Sequence, residues 1–356
     1  MVNKGHPIDG AQPVKANLLG LTADQIGTLL SEALGEPAYR GRQIGNWVYR
    51  HGVLDFQQMT NLNGGLRDRL GDRFTLHVPR PVSIQNSPDG TQKMLYREGT
   101  DVWESVLMRD GDRRTVCVST QSGCGLGCRF CATAKLGFQR NLTPAEIIGQ
   151  IMRAGELLPD GERVTNVVFM GMGEPLQNYD SVKAVLDVIA STSGLEVSIR
   201  KTTVSTVGLV PQIHRWAQDR NKAHLAISLI SADDELRSRL MPINRRYPLA
   251  ELKEAAIAVT EMTKQRVTFE YILMDGINDS IGAAKKLVSF IHGIPCKINL
   301  IRFHPHDGSE FRRPAEERVL AFRDYLYPRA PAVSIRNSFG VDIDAACGQL
   351  AGRTRN

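Results

Sequence analysis

The sequence predicts an α/β protein: an incomplete (β/α) barrel over residues 113–356, preceded by a small helical domain, 1–80, and a β-hairpin extension, 81–112. Three observations carry this. Helical periodicity fills residues 20 to 75. Strand-like runs broken by Asp-Gly turns follow to about residue 112. From residue 113, short runs rich in β-branched residues alternate with helical stretches, the pattern of a parallel sheet with helical crossovers.

In the first region, LTADQIGTLLSEAL spaces its apolar residues for a helix and follows a Thr that can cap it. RGRQIGNWVYRHG and LNGGLRDRLGDRF continue the helices, with Arg40, Arg42, Arg50, Arg67 and Arg69 scattered over them. QNSPDGTQKMLYRE and DVWESVLMRDGDRR read as hairpins. Then TVCVST, VTNVVFMG, SIRKTTVS, AHLAISLI, RVTFEYIL, CKINLIRF and AVSIRNSF read as strands. Segments such as PAEIIGQIMRAGELL, SVKAVLDVIAST and LAELKEAAIAVTEMT read as the helices between them. About seven such units suggest an incomplete barrel, with an open doubly wound sheet as the alternative.

The 356 residues allow one large and one small domain. No apolar run reaches the length of a membrane span, and the first twenty residues lack the apolar core of a signal peptide. These features predict a cytoplasmic protein whose six cysteines act as ligands or reactive groups rather than structural disulfides. Nothing in the sequence suggests more than a monomer. A net charge of +6 permits nucleic-acid binding without requiring it. The excess gathers in GDRRTVC, SIRKTT, RLMPINRRYPL, FRRP and AGRTRN. Composition alone would make these a solvated surface of mixed charge.

Unusual residues lie where each strand ends: SGCGLGCRFC after the first, GMGEP, STVG and SLIS after the next three, FHPHDG after the sixth and FGVDIDAACG after the seventh. In a barrel these turns converge on the C-terminal rim, where active sites form.

The first of these turns holds Cys124, Cys128 and Cys131. Structural zinc takes four ligands, commonly paired in separate knuckles, and a redox pair of Cys128 with Cys131 leaves Cys124 unexplained. An iron–sulfur cluster suits three thiolates better and leaves one iron free for a small molecule with an amine and a carboxylate. The CxxxCxxC spacing resembles the signature of radical S-adenosylmethionine enzymes. GMGEP resembles that superfamily's turn for the cofactor's amino group. The resemblance implies a [4Fe–4S] cluster whose electron cleaves S-adenosylmethionine to methionine and a 5′-deoxyadenosyl radical.

Alternation along the first strand sets Cys117 and Ser119 on the face opposite Val116 and Val118. For Cys117 taken alone, a small buried hydrophobe is the simpler reading. Cys347, between Ala and Gly after the last strand, is harder to read as packing. Cys296 reads as core.

Together the motifs resemble the RlmN/Cfr family of radical S-adenosylmethionine RNA adenosine methyltransferases, most like its RlmN branch. The match runs from YRGRQIGNWVYRHGVLDFQQMTNL through CVSTQSGCGLGCRFCATAKLGFQRNLTPAEIIGQI and NVVFMGMGEPLQNY to IDAACGQLAG. The family's fold is a partial (β/α)6-type barrel with an N-terminal RNA-binding accessory domain. The resemblance implies that one S-adenosylmethionine methylates Cys347. A second yields the radical that takes a hydrogen from this methyl, and the methylene radical adds to adenine. Cys117 resolves the adduct, ending in a Cys117–Cys347 disulfide. Glu104 matches the family's proton acceptor; as a bare sequence feature it reads as an exposed strand carboxylate. Cofactor-binding positions carried over are Gly173, Glu174, Ser205, Ser228, Leu229, Ile230 and His304. The family usually has His at the position of Ile230 and Asn at that of His304. A histidine there adds a pH dependence.

The implied substrate is an adenosine of 23S rRNA in the peptidyl-transferase region, methylated at carbon 2, with the adenosine beside the tRNA anticodon used by many members. An electron donor such as flavodoxin or ferredoxin is implied as well. The runner-up is Cfr-type methylation at carbon 8: RLMPINRRYPL and IRNSFG lean that way, while LAISL and MGEPL lean to carbon 2. Further alternatives are a radical activase of another protein, which needs neither Cys117 nor Cys347, and an RNA-binding protein with structural zinc.

Overall fold

The computed structural model describes residues 15–352. The first fourteen residues and the end of the basic AGRTRN stretch lie outside them. The helical region forms as its pattern predicts. α1 (Ala23–Leu34) starts at a capping box in which Thr22 and Gln25 satisfy each other's backbone N–H, and Gly35 ends it in the left-handed conformation. α2 (Arg40–Gly45) runs on into a π-helical turn, Asn46–Arg50. Asn63 caps α3 (Gly64–Arg73). Leu18, Ile26, Leu30, Ile44, Leu66 and Leu70 are buried in a core continuous with that of the barrel. The arginines predicted here are mostly engaged. Arg40 and Arg69 pair with Glu36, Arg67 donates to the Gln57 carbonyl and Arg50 to that of Thr192.

Four antiparallel strands follow: β1 (Pro81–Asn86), β2 (Gln92–Glu98), β3 (Asp101–Asp110) and β4 (Arg113–Cys117). The predicted hairpins are therefore the outer part of the main sheet, and residue 113 falls inside the β3–β4 hairpin. The other edge of β4 pairs in parallel with β5 (Asn166–Phe169). In register beyond it come β6 (Thr202–Thr206), β7 (His224–Ser228), β8 (Val267–Leu273), β9 (Cys296–Arg302) and β10 (Val333–Ile335). Among the described residues this makes one sheet of ten strands. The crossovers are α4 (Pro144–Gly155), α5 (Tyr179–Ala190), α6 (Val210–Gln218), α7 (Asp234–Leu240) with α8 (Leu249–Thr263), α9 (Ile281–Ile291) and α10 (Glu316–Leu326).

From β4 onward each strand lies beside its predecessor in sequence. A doubly wound sheet reverses its strand order partway, and this one does not. Cys117 on β4 and Ser334 on β10 also line the same cavity. The parallel strands therefore curl, and the sheet is an incomplete barrel. Cys296 is buried at the start of β9, as predicted.

Candidate active site

The C-terminal ends of the parallel strands surround a cavity of about 470 Å3, within the range of small-molecule sites. Of the residues predicted from sequence, it is lined by Cys117, Cys124, Cys128, Cys131, Gly173, Glu174, Ser205, Ser228 and Cys347.

The three-cysteine loop is held by its flanks. A short antiparallel ribbon pairs Gln121–Gly123 with Phe138–Asn141, and Cys124 N–H donates to the Gly137 carbonyl at 2.8 Å. Gly123 has φ +70°, and a Cβ there would lie 1.8 Å from the Gly137 oxygen, so only glycine lets the strands close. Cys131 N–H donates to the Cys128 carbonyl at 3.1 Å. Burial pushes the Cys124 thiol up to about 11 and the Cys128 thiol well above its usual value, and in both cases neighbouring cysteines of the loop add to the rise. Beneath the loop an apolar cluster joins Cys128 and Phe130 to Ile230, Met241, Phe303 and Phe311.

The GMGEP turn lies against the end of β4. Gly173 has φ +97°, and a Cβ there would meet Gln121 Cβ at 2.5 Å. Glu174 N–H donates to Gln121 Oε1 at 2.9 Å. Its carboxylate accepts from Leu176 N–H (3.0 Å) and Val207 N–H (2.9 Å). Burial lifts its pKa to about 7 against the pull of these donors. Buried Arg237 draws the next two rim turns together, donating to the carbonyls of Val207 (2.7 Å), Ser228 (3.1 Å) and Leu229 (3.0 Å) and to Asn244 Oδ1 (2.7 Å).

Cys117 and Cys347 come from opposite ends of the parallel sheet to line the same cavity. Burial pushes the Cys117 thiol up to about 12, with Cys347 adding to the rise. Cys347 is exposed as a residue; its thiol, on the cavity side, is raised by loss of water, and the Arg336 guanidinium opposes that rise.

Four predicted residues are not in the cavity wall. Leu229 and Ile230 are buried and donate their N–H groups to the Glu270 carbonyl (3.0 and 3.4 Å). Ile230 stands at φ +62°, its side chain in the apolar cluster below the loop. His304 is buried with Nε2 2.7 Å from Ser338 Oγ. Burial and the charges of Arg313 and Arg302 hold its pKa down to about 4, so the ring is neutral at pH 7. Glu104 is not the exposed strand carboxylate that its bare sequence suggests. It is 0 % exposed, with Lys93 Nζ 3.3 Å from Oε1 and the N–H groups of Ala351 and Gly352 on Oε2.

Comparison with known proteins agrees with this arrangement. Residues 118–288 match the Radical SAM superfamily. Residues 16–76 match the ribosomal RNA large subunit methyltransferase N-terminal domain. The chain is 45 % identical over 321 residues to the dual-specificity RNA methyltransferase RlmN of Syntrophobacter fumaroxidans, covering 90 % of this chain and 93 % of that one. The chain belongs to the RlmN family. The RlmN of Syntrophus aciditrophicus is 43 % identical, with 95 % and 97 % covered. The crystal structure of a radical SAM methyltransferase from Sphaerobacter thermophilus superposes with a TM-score of 0.90 at 42 % identity, covering 95 % of this chain and all of that one.

An RlmN-family enzyme uses a [4Fe–4S] cluster and S-adenosylmethionine, and the cavity suits both. Among the described residues no three His, Cys, Asp or Glu side chains converge on a single-ion site. A cubane gives each thiolate its own iron, so its ligands need not converge. Three neighbouring thiols facing one cavity, beside a turn with a buried carboxylate, fit such a cluster and a cofactor amine.

Sequence reasoning missed Arg336 and Glu270, which also line the cavity. Arg336 Nη1 lies 3.6 Å from Glu270 Oε1 and 3.4 Å from Met170 Sδ, and Asn299 Nδ2 donates to Glu270 Oε1 at 3.0 Å. Each is an ordinary strand residue in the sequence, so no local signal marks it. Arg237 was hidden for the same reason, inside a helix rich in charge.

Proposed function

We propose that the protein methylates carbon 2 of an adenosine in 23S rRNA, and of the adenosine beside the anticodon in tRNA, with Cys347 as the methyl carrier. The supporting observation is that Cys117 and Cys347 share one cavity with the three-cysteine loop and the GMGEP turn.

Carbon 2 of adenine is electron-poor and has no lone pair, so it cannot attack a methyl sulfonium. A carbon radical can add to it. Cys124, Cys128 and Cys131 hold the cluster. Gly173, Glu174, Ser205 and Ser228 hold the cofactor, with the Glu174 carboxylate against its amine. Leu229 and Ile230, whose backbone groups are bonded to Glu270, Arg237 and Asn278, support the site from behind the cavity wall, and His304 contributes through Ser338. When bound, cluster and cofactor supply a radical that takes a hydrogen atom from the methyl on Cys347. The Cys347 methylene then bonds to carbon 2. The adduct then gives up the hydrogen of that carbon as a proton together with one electron, which returns to the cluster when bound. The Cys117 thiol loses its proton and its sulfur attacks the Cys347 sulfur. The C–S bond breaks with its electron pair on the methylene carbon, which takes up a proton to become the methyl group. A disulfide forms, which a thiol reductant must open.

The helical domain, residues 1–80, is the RNA-binding accessory. A flipped base enters the cavity while shape and phosphate contacts hold the RNA outside. The enzyme works as a monomer in the cytosol, with flavodoxin or ferredoxin as electron donor. Among the described residues no helix is long and apolar enough to cross a membrane.

A second reading, methylation at carbon 8, is favoured by one feature. The IRNSFG stretch, which leans toward the Cfr branch, contributes Arg336, Asn337, Ser338 and Phe339 to the cavity wall. Expression in a bacterium lacking its own enzymes of this type, followed by mass spectrometry of digested 23S rRNA and tRNA, separates the two. 2-Methyladenosine is expected, and the RNA that contains it names the substrate. 8-Methyladenosine would establish the second reading. Neither product, with cluster and reductant shown intact, would overturn both.

A further inference from the structure

The loop that carries Cys347 is fastened to the β1–β4 meander on both sides. Ahead of the cysteine, Gly340 N–H donates to Asp89 Oδ2 at 2.8 Å, and Ser87 Oγ donates to Asp342 Oδ1 at 2.6 Å. Behind it, the N–H groups of Ala351 and Gly352 both donate to Glu104 Oε2, at 3.0 and 3.1 Å. Between these anchors the loop touches the cluster loop, where Ala132 N–H donates to the Gly348 carbonyl (2.7 Å) and Thr133 Oγ1 to that of Leu350 (2.7 Å).

Two consecutive backbone N–H groups on one carboxylate oxygen form an anion nest. Such bonds are charge-assisted and stronger than neutral ones. Lys93, 3 % exposed, faces the other oxygen of Glu104. A buried Lys–Glu pair offers little net stability over an apolar pair of the same shape. What an apolar pair could not do is hold two loop N–H groups. One oxygen thus takes both loop N–H groups, the other lies 3.3 Å from Lys93 Nζ without a hydrogen bond, and the side chain is not part of the cavity wall.

We propose that Glu104 is a positioning residue: paired with Lys93, it latches the end of the Cys347 loop and so keeps the Cys347 sulfur in the cavity. This rests on the reading of Cys347 as the methyl carrier, and it gives Glu104 a role other than proton acceptor.

The test uses reconstituted holoenzyme of the full chain and Glu104→Gln, which keeps the shape and removes the charge. Hydrogen exchange is followed over residues 345–352, and RNA-independent methylation of Cys347 by intact mass. A latch predicts exchange at these amides faster by about ten-fold or more. It predicts Cys347 methylation slower by about 10- to 100-fold, the effect of a misplaced reacting group. If both stay at wild-type values while RNA methylation is lost, the proposal is overturned and Glu104 acts on the base directly. If the variant loosens throughout, Ala351→Pro decides, since it removes one loop donor and leaves the Lys93–Glu104 pair intact. The same local pattern there supports the latch, and its absence overturns it. Should wild-type Cys347 never gain a methyl group, the functional reading fails, and the exchange measurement still judges the latch.

Discussion

Glu174 Oε2 accepts a hydrogen bond from the Val207 backbone N–H at 2.9 Å, so a carboxylate of one rim turn is clamped to the next. Burial raises that carboxyl to about 7. Its ionised form is the stronger acceptor for the N–H groups of the cofactor's amine. Above pH 7 affinity should be nearly flat, and below it affinity should fall as the acid form takes over. Between pH 8 and pH 6 the dissociation constant should rise by about ten-fold, following the ionised fraction. Calorimetric titration of the holoprotein at the two values measures this. Glu174→Gln should bind weakly and show no such slope. Equal wild-type affinity at both values would sink the assignment.

Gly123 and Gly137 allow the ribbon beside the three-cysteine loop to close. Gly123→Ala would add a Cβ 1.8 Å from the Gly137 oxygen at a left-handed backbone, a strain of about 1–3 kcal/mol. The substitution lies in the loop's anchor rather than in the barrel. Iron retained after reconstitution and desalting should therefore drop while the circular dichroism spectrum stays native. Full iron content in a folded variant would show that the anchor does not set the loop.

Arg237 serves four acceptors in a region without solvent. Burial lowers its pKa to about 10, which still leaves it charged at neutral pH. Arg237→Met would strand the Val207, Ser228 and Leu229 carbonyls. The expected loss is about 3–5 kcal/mol, as for breaking a buried charged network. Urea denaturation of the two apoproteins gives the difference. A loss below about 1 kcal/mol would mean that water replaces the guanidinium.

Arg336 shares the cavity with Glu270, Cys117 and Cys347 and interacts electrostatically with all three. Arg336→Gln removes the cation that opposes the upward shift of the Cys347 thiol, so less thiolate should form at a given pH. Alkylation of Cys347 by iodoacetamide at pH 8 should slow several-fold, because the thiolate is the nucleophile. An unchanged rate would separate Arg336 from thiol reactivity.

The parts of the site that were legible beforehand are contiguous in sequence. CxxxCxxC and GMGEP each complete a local task within a few residues, as do the capping boxes at Thr22 and Thr143. Arg336 and Glu270 lie 66 positions apart and become a pair only once β8 and β10 are placed around one cavity. Ile230 shows the opposite difficulty. Its position matched a cofactor contact, but a left-handed backbone turns its side chain into the cluster below the cysteine loop.

By itself the sequence determined the order of strands and helices, the cysteine loop and the family. Periodicity, caps and ligand spacing are local, and local steric rules and metal chemistry read them directly. Only the tertiary structure decided that the sheet curls, that Cys117 and Cys347 share a cavity, and that Glu104 is buried under the end of the Cys347 loop. Those outcomes depend on packing between residues as much as 248 positions apart. Whether a carboxylate meets solvent, a lysine or two backbone N–H groups is set by such packing, and no local pattern carries it.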